Sequence, residues 1–283
     1  MPADSRKWDR RVARARELAE AHDFARQVLL FYIQLTNFQK TSYLRFDAAD
    51  RGRNSLPAAL DDIDLAHLLT RWRPFLAMLE TEAPPRLADF ARQSKPGGTD
   101  AGAALLRAAW PAQPHVTDSS KPEPAMAPTV TAAPSLAQFC ASSFLQPFAE
   151  SLADHARVPA QIERLARCPF CGSPPMVGVL RPEGDGGKRS LICSFCRTEW
   201  DYLRIACPSC DERREQKLIV YTAPKFESVR IEACDTCKAY IKTVDLTKNG
   251  LAVPEVDDIA ALPLGLWADE QGYRKLASGS LCL

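Results

Sequence analysis

C-P-F-C-G at residues 168–172, C-S-F-C at 193–196, C-P-S-C at 207–210 and C-D-T-C at 234–237 carry eight of the ten cysteines of a 283-residue chain. Two intervening residues let a tight turn aim both sulfurs of a pair at one ion, and two such turns brought together make a tetrahedral four-sulfur site. Four pairs therefore imply two ions. The gaps between pairs run long, short, long, which suits two ribbons in series. Cys168, Cys171, Cys193 and Cys196 would then form one site, and Cys207, Cys210, Cys234 and Cys237 the other. A crossed arrangement, first pair with third and second with fourth, remains open from spacing alone.

Each long gap reads as a β-hairpin. Residues 176–180 lead to a glycine-rich turn and residues 190–192 return; residues 217–222 lead to Ala223-Pro224-Lys225 and residues 228–232 return. Pro169 and Pro208 pre-set φ for a turn, and Gly172 takes φ > 0 without steric cost. Four thiolates on a divalent ion leave excess negative charge, for which backbone N–H groups and Arg167, Arg197, Arg204 and Lys238 are candidate partners. A structural ion contributes on the order of 10–16 kcal/mol, so such short hairpins need little apolar core.

Other cysteine chemistries fit less well. Residues 1–12 are charged and lack the apolar run of a secretory signal, which points to a reducing compartment and against disulfides. A thioredoxin-like dithiol wants one such pair in a βαβ setting. Iron–sulfur clusters use less regular spacings. Cys140 reads as core and Cys282 as a free terminal thiol.

Hydrophobic residues make up 46% of the chain and the net charge is +1, ordinary for a globular protein with no field favouring a polyanion. Residues 1–110 read as a helical domain. Phe24, Val28, Phe31, Leu35 and Phe38 recur at helical spacing, and Leu29, Leu30, Tyr32 and Ile33 make the middle of that helix apolar nearly all round, so it should be central. Before it, Arg6, Lys7, Arg10, Arg11, Arg14 and Arg16 read as a solvated face. Asp61 or Asp62 is the expected cap of a helix that Pro74 kinks or splits.

Residues 111–134 are a proline-rich loop or linker, and 135–166 a helix completing the helical domain. The first four-cysteine ribbon spans 167–206 and the second 207–253. Residues 254–283 form a C-terminal helix and tail, capped by Asp257 and Asp258, with Leu262, Leu266 and Trp267 packing back. The fold class is thus α+β and multidomain: a helical domain, two tandem four-cysteine modules of zinc-ribbon or rubredoxin-like type, and a C-terminal helix. His22, His67, His115 and His155 are scattered through the helical half, and no arrangement for nucleophilic catalysis is evident, so no catalytic residues are assigned.

The chain resembles the formate dehydrogenase accessory protein family, FdhE. The resemblance rests on C-P-F-C-G-S-P-P-M-V-G-V-L (168–180), C-S-F-C-R-T-E-W-D-Y-L-R-I-A-C (193–207), E-A-C-D-T-C-K-A-Y-I-K (232–242) and the tail segments D-D-I-A-A-L (257–262) and E-Q-G-Y-R (270–274). It implies a non-catalytic cytoplasmic protein that binds the catalytic subunit of a respiratory formate dehydrogenase and is needed for its activity. Its ions would be two per chain, iron in rubredoxin-like sites, with zinc sharing the same four-thiolate geometry. The ribbon surface and an interdomain groove are then the candidate client site. Two rival readings are a zinc-ribbon module contacting nucleic acid, opposed by the low basic excess, and a small iron electron carrier or reductase.

Overall fold

The computed structural model describes residues 5–46, 60–94, 98–111, 135–156, 165–184 and 186–277. They fall into two compact units, one built from the residues up to 156 and one from residue 165 onward. The linker at 112–134, the stretch 157–164, His115 and Cys282 lie outside the described residues.

The first unit is helical: α1 (Arg6–Ala21), α2 (Arg26–Arg45), α3 (Leu65–Leu69), α4 (Trp72–Glu82), α5 (Pro85–Ser94), α6 (Gly98–Ala109) and α7 (Leu136–Asp154). α2 packs against α1, α4 and α7, consistent with a central helix. Leu29, Phe31, Tyr32, Ile33 and Leu35 are buried, but Phe24 and Leu30 point outward. Asp64, rather than Asp61 or Asp62, caps α3 by accepting from the His67 N–H at 2.9 Å. Asp61 instead pairs with Arg107 at 2.7 Å. The break between α3 and α4 falls just before Trp72, so Pro74 sits in a first helical turn, where its missing N–H removes no bond. Trp72 lies so close to α6 that a Cβ on Gly102 would come within 2.7 Å of its indole nitrogen.

The basic face of α1 is not wholly solvated. Arg11 and Arg14 are buried, and Arg11 reaches Glu150 of α7 at 3.0 Å, joined there by Lys7 at 2.6 Å. Burial pushes the Glu150 carboxyl up, but Arg11 and Lys7 outweigh it and hold it at about 2. α7 is buried on nearly every side and carries Pro147 in its interior. Proline cannot donate to the carbonyl four residues back, which is that of Ser143. Gln39 of α2 donates its side-chain amide to this oxygen at 2.8 Å, so the bond that Pro147 cannot make is made from a neighbouring helix.

The second unit is one sheet of seven strands: β1 (Pro175–Glu183), β2 (Gly186–Cys193), β3 (Glu199–Asp201), β4 (Leu218–Thr222), β5 (Val229–Cys234), β6 (Ala239–Asp245) and β7 (Arg274–Lys275), in the order β3-β2-β1-β6-β5-β4 with β7 beside β6. The expected hairpins are β1–β2 and β4–β5. Glu183 pairs with Gly186 at the tip of the first, where Gly184 takes φ +55°. What the hairpin reading did not contain is the seam between ribbons: β1 and β6 run parallel, Val177 opposite Lys242 through Leu180 opposite Asp245.

Met176, Val177, Val179, Val229, Ile231, Tyr240 and Val244 form the core of this unit, closed by α8 (Pro254–Ala260) and α9 (Leu262–Glu270). Trp267 packs on that core, whereas Leu266 is exposed. Asp257 and Asp258 lie inside α8 and do not precede it, because Pro254 starts the helix. Asp257 reaches back to the Val253 N–H at 2.8 Å. Asp258 is buried between Lys242 at 3.1 Å and Lys275 at 2.8 Å, and the Lys242 ammonium also donates to the carbonyls of Asp258 and Ala261. Lys242 thereby satisfies helix-end carbonyls that have no partner within α8.

Replacing Gln39 by Leu is expected to cost about 1–3 kcal/mol, the desolvation cost of a stranded carbonyl. The same change in a Pro147→Ala background should cost much less, because the alanine supplies the missing N–H; denaturant unfolding of the four proteins measures the coupling. Because the Glu150 pKa is depressed from 4.5 to about 2, its contribution is complete above pH 4.5 and disappears as pH falls toward 2. Glu150→Gln should therefore lose about 3 kcal/mol at neutral pH and converge on the wild type in acid, as read by unfolding at a series of pH values.

Candidate metal centres

Each cysteine pair sits on the same backbone turn. The residue after the second cysteine is left-handed in all four: Gly172 at φ +71°, Arg197 at +61°, Asp211 at +55° and Lys238 at +57°. Only one is a glycine. A non-glycine residue in that region costs about 1–2 kcal/mol, which the surrounding bonds must offset. Gly172, Asp211 and Lys238 return their N–H to the carbonyl of the first cysteine at 2.9, 2.9 and 2.8 Å. The first cysteines Cys168, Cys193 and Cys207 donate to the carbonyls of Ser173, Thr198 and Glu212, each at 2.9 Å. The turn also aims N–H groups at sulfur, from Phe195 and Cys196 to Cys193 at 3.3 and 3.4 Å and from Ser209 to Cys207 at 3.4 Å.

The sheet brings these turns together in two clusters, Cys168, Cys171, Cys193 and Cys196 in one and Cys207, Cys210, Cys234 and Cys237 in the other, with all sulfurs of a cluster within 4.8 Å of one another. Cross-pair separations are 3.5 Å (Cys168–Cys196) and 3.3 Å (Cys171–Cys193) in the first, and 3.7 Å for both Cys207–Cys237 and Cys210–Cys234 in the second. These are far beyond a disulfide bond of about 2.05 Å. A tetrahedron with metal–sulfur distances of about 2.3 Å has edges of about 3.8 Å, so both clusters have the size and the donor set for a four-thiolate ion. All eight cysteines are free thiols, and among the described residues no histidine or carboxylate joins either cluster.

The proposed counter-charges are arranged otherwise than expected. Arg167 donates to the Gly172 carbonyl, Arg197 to those of Cys193 and Ser194, and Arg204 to that of Gly187, so these guanidinium groups brace loop backbone. Lys238 pairs with Asp235 at 2.6 Å. Glu199 and Asp201 form ion pairs with Arg181 and Lys188. Glu232 is nearly buried between Arg189 at 2.7 Å and Arg230 at 2.6 Å. Arg189 also donates to the carbonyls of Leu203 and Ala206, tying β2 to the connector that enters the second cluster. Thr198, with its hydroxyl 3.0 Å from the Cys196 sulfur, is a contact that cysteine spacing could not reveal.

The sulfurs of each cluster differ in how readily they ionise. Burial opposes ionisation of Cys171, but hydrogen bonds from Cys168, Cys193 and Cys196 hold its thiol well below the usual range. A hydrogen bond from Cys207 lowers Cys237 to about 5. Burial raises Cys193 and Cys196 well above the ordinary value, the Cys237 thiolate raises Cys207, and burial lifts Cys210 to about 12. At least two protons per cluster must therefore leave when four thiolates bind an ion. Apparent affinity for zinc or cobalt should rise on the order of a hundredfold per pH unit near neutrality, measured by chelator competition at pH 6, 7 and 8. A pH-independent affinity would contradict this proton release.

Residues 167–204 match the family described as FdhE, central domain, and residues 205–282 the family described as FdhE, C-terminal domain. Among curated relatives, the protein FdhE homolog of Aquifex aeolicus is 39% identical over 142 residues, covering 49% of this chain and 50% of that one. The protein FdhE homolog of Pseudomonas putida is 38% identical over 121 residues, covering 40% and 37%. The matched stretch thus spans half or less of the length of these relatives. The crystal structure of the FdhE protein from Pseudomonas aeruginosa shares the fold at a TM-score of 0.64 and 24% identity, over 100% of this chain and 98% of that one. The cysteine-bearing half of the chain is thus similar to the FdhE central and C-terminal domains, and the fold is shared with a solved FdhE protein along its length.

Proposed function

We propose that this protein is a non-catalytic accessory factor for a respiratory formate dehydrogenase, binding the catalytic subunit in the cytoplasm and holding two ions, one in each four-cysteine cluster. The observation that carries the reading is the pair of complete four-sulfur donor sets in the two stretches that match the FdhE domains. Cys168, Cys171, Cys193 and Cys196 would hold one ion and Cys207, Cys210, Cys234 and Cys237 the other, iron being favoured by the family resemblance. Bound there, iron supplies one-electron exchange and zinc a redox-inert staple.

The charge pattern of the ribbons supports a protein partner over nucleic acid. Arg181, Lys188, Arg213, Arg214, Arg230 and Lys238 each lie in an ion pair with a carboxylate of the same unit, which spends the basic residues locally. No described helix is long and apolar enough to cross a membrane.

Tagged protein drawn from the cytoplasmic fraction of cells respiring on nitrate should retain the formate dehydrogenase catalytic subunit. Cells lacking the gene should recover formate dehydrogenase activity with the wild type and at least tenfold less with Cys207→Ser/Cys210→Ser. Full activity without the protein, or no retained subunit, would refute the accessory role. Salt-sensitive binding to DNA or RNA in its place would favour the nucleic-acid reading.

A further inference from the structure

The two clusters differ in what stands between their sulfurs and water. In the first, Cys168, Cys171, Cys193 and Cys196 are 2, 1, 0 and 0% exposed. In the second, Cys207 and Cys234 are buried, but Cys210 and Cys237 are only half-buried. The difference is written at one position of the motif. The residue before the second cysteine is Phe170 and Phe195 in the first cluster, and both rings are buried. It is Ser209 and Thr236 in the second, half-buried and exposed. The second cluster is also approached from behind, because Cys207 and Cys234 line a cavity of about 250 Å³ bordered by Arg204, Ile205 and Val220. Ile205 and Val220 are 50 and 52% exposed, so its rim is open.

Exchange at a four-thiolate ion needs an incoming ligand to reach the coordination sphere, and the apolar shell around a site controls that access. The phenylalanine-capped cluster offers no path until the sheet opens around it. From this contrast we infer that the cluster of Cys207, Cys210, Cys234 and Cys237 is the exchange centre of the protein, where ions are gained and lost and where small electrophiles and chelators act, while the cluster of Cys168, Cys171, Cys193 and Cys196 is a permanent staple. The inference rests on the reading that both clusters hold ions. It adds a division of labour between them.

The test uses the full chain loaded with two equivalents of zinc and challenged with excess 4-(2-pyridylazo)resorcinol in the presence of iodoacetamide. Each released thiolate attacks the methylene carbon of iodoacetamide and displaces iodide, leaving a thioether that mass spectrometry locates. Release in two phases of one equivalent each is expected, the first about a hundredfold faster. Label at the end of the fast phase should lie on Cys207, Cys210, Cys234 and Cys237 and be absent from the other four. Ser209→Phe/Thr236→Phe should slow the fast phase about tenfold and leave the slow one unchanged.

A single phase carrying both equivalents, or early label on Cys168, Cys171, Cys193 and Cys196, overturns the division of labour while leaving the two-ion reading intact. A wild-type chain that retains fewer than two equivalents overturns the two-ion reading itself, and the division with it. The wild-type label map decides between these outcomes even if the double variant does not fold.

Discussion

Two thiolates separated by two residues face one ion only if the chain reverses directly behind the second sulfur. Four times this chain meets that constraint with a left-handed residue, and three times without the glycine that would make it cheap. The rest of the second unit is arranged around those reversals. Strands β2 and β5 end on a cysteine of a knuckle, β6 begins directly behind one, and the bonds that return three of the four reversals to the first cysteine of their pair hold the sulfurs in register. An ion in each cluster and the backbone around it would then support one another, since the turns bring the sulfurs together and the ion offsets the strain of the turns.

Both units also bury charge. Glu150 draws Arg11 and Lys7 onto α7, and Lys242 serves the carbonyl end of α8 while Asp258 and Lys275 balance it. Burial pulls the Lys242 ammonium down to about 8, a sign of the desolvation cost that its carboxylate partner and carbonyl acceptors offset. Such groups contribute less to net stability than an apolar core of equal volume would, but they admit few alternative packings.

Local features were legible from the sequence because their causes are local. The cysteine turns, the two hairpins and the break near Pro74 each follow from residues within a few positions of one another. The misreadings share the opposite property. Arg11 reads as solvated because its partner Glu150 lies 139 residues away. Asp258 reads as a cap because nothing near it in sequence announces Lys242. The pairing of Glu232 with Arg189 could not be read either, because Arg189 lies on the other ribbon. The parallel seam of β1 with β6 was invisible for the same reason: each strand already has a hairpin or meander neighbour, and no pattern within either names the second one.

That seam bears on how the chain is made. Every residue of β2, β3, β4 and β5 leaves the ribosome before β6 does, so the first ribbon is finished while one long side of β1 still lacks its neighbour. An open strand edge carrying the apolar run Met176-Val177-Gly178-Val179-Leu180 is a template for pairing with other chains. During synthesis it is therefore an aggregation hazard that the folded protein no longer displays. Early closure of the Cys168–Cys196 cluster would pin β1 to β2 and twist that edge while it waits, giving the sealed cluster a task in biogenesis separate from any it has in the finished molecule.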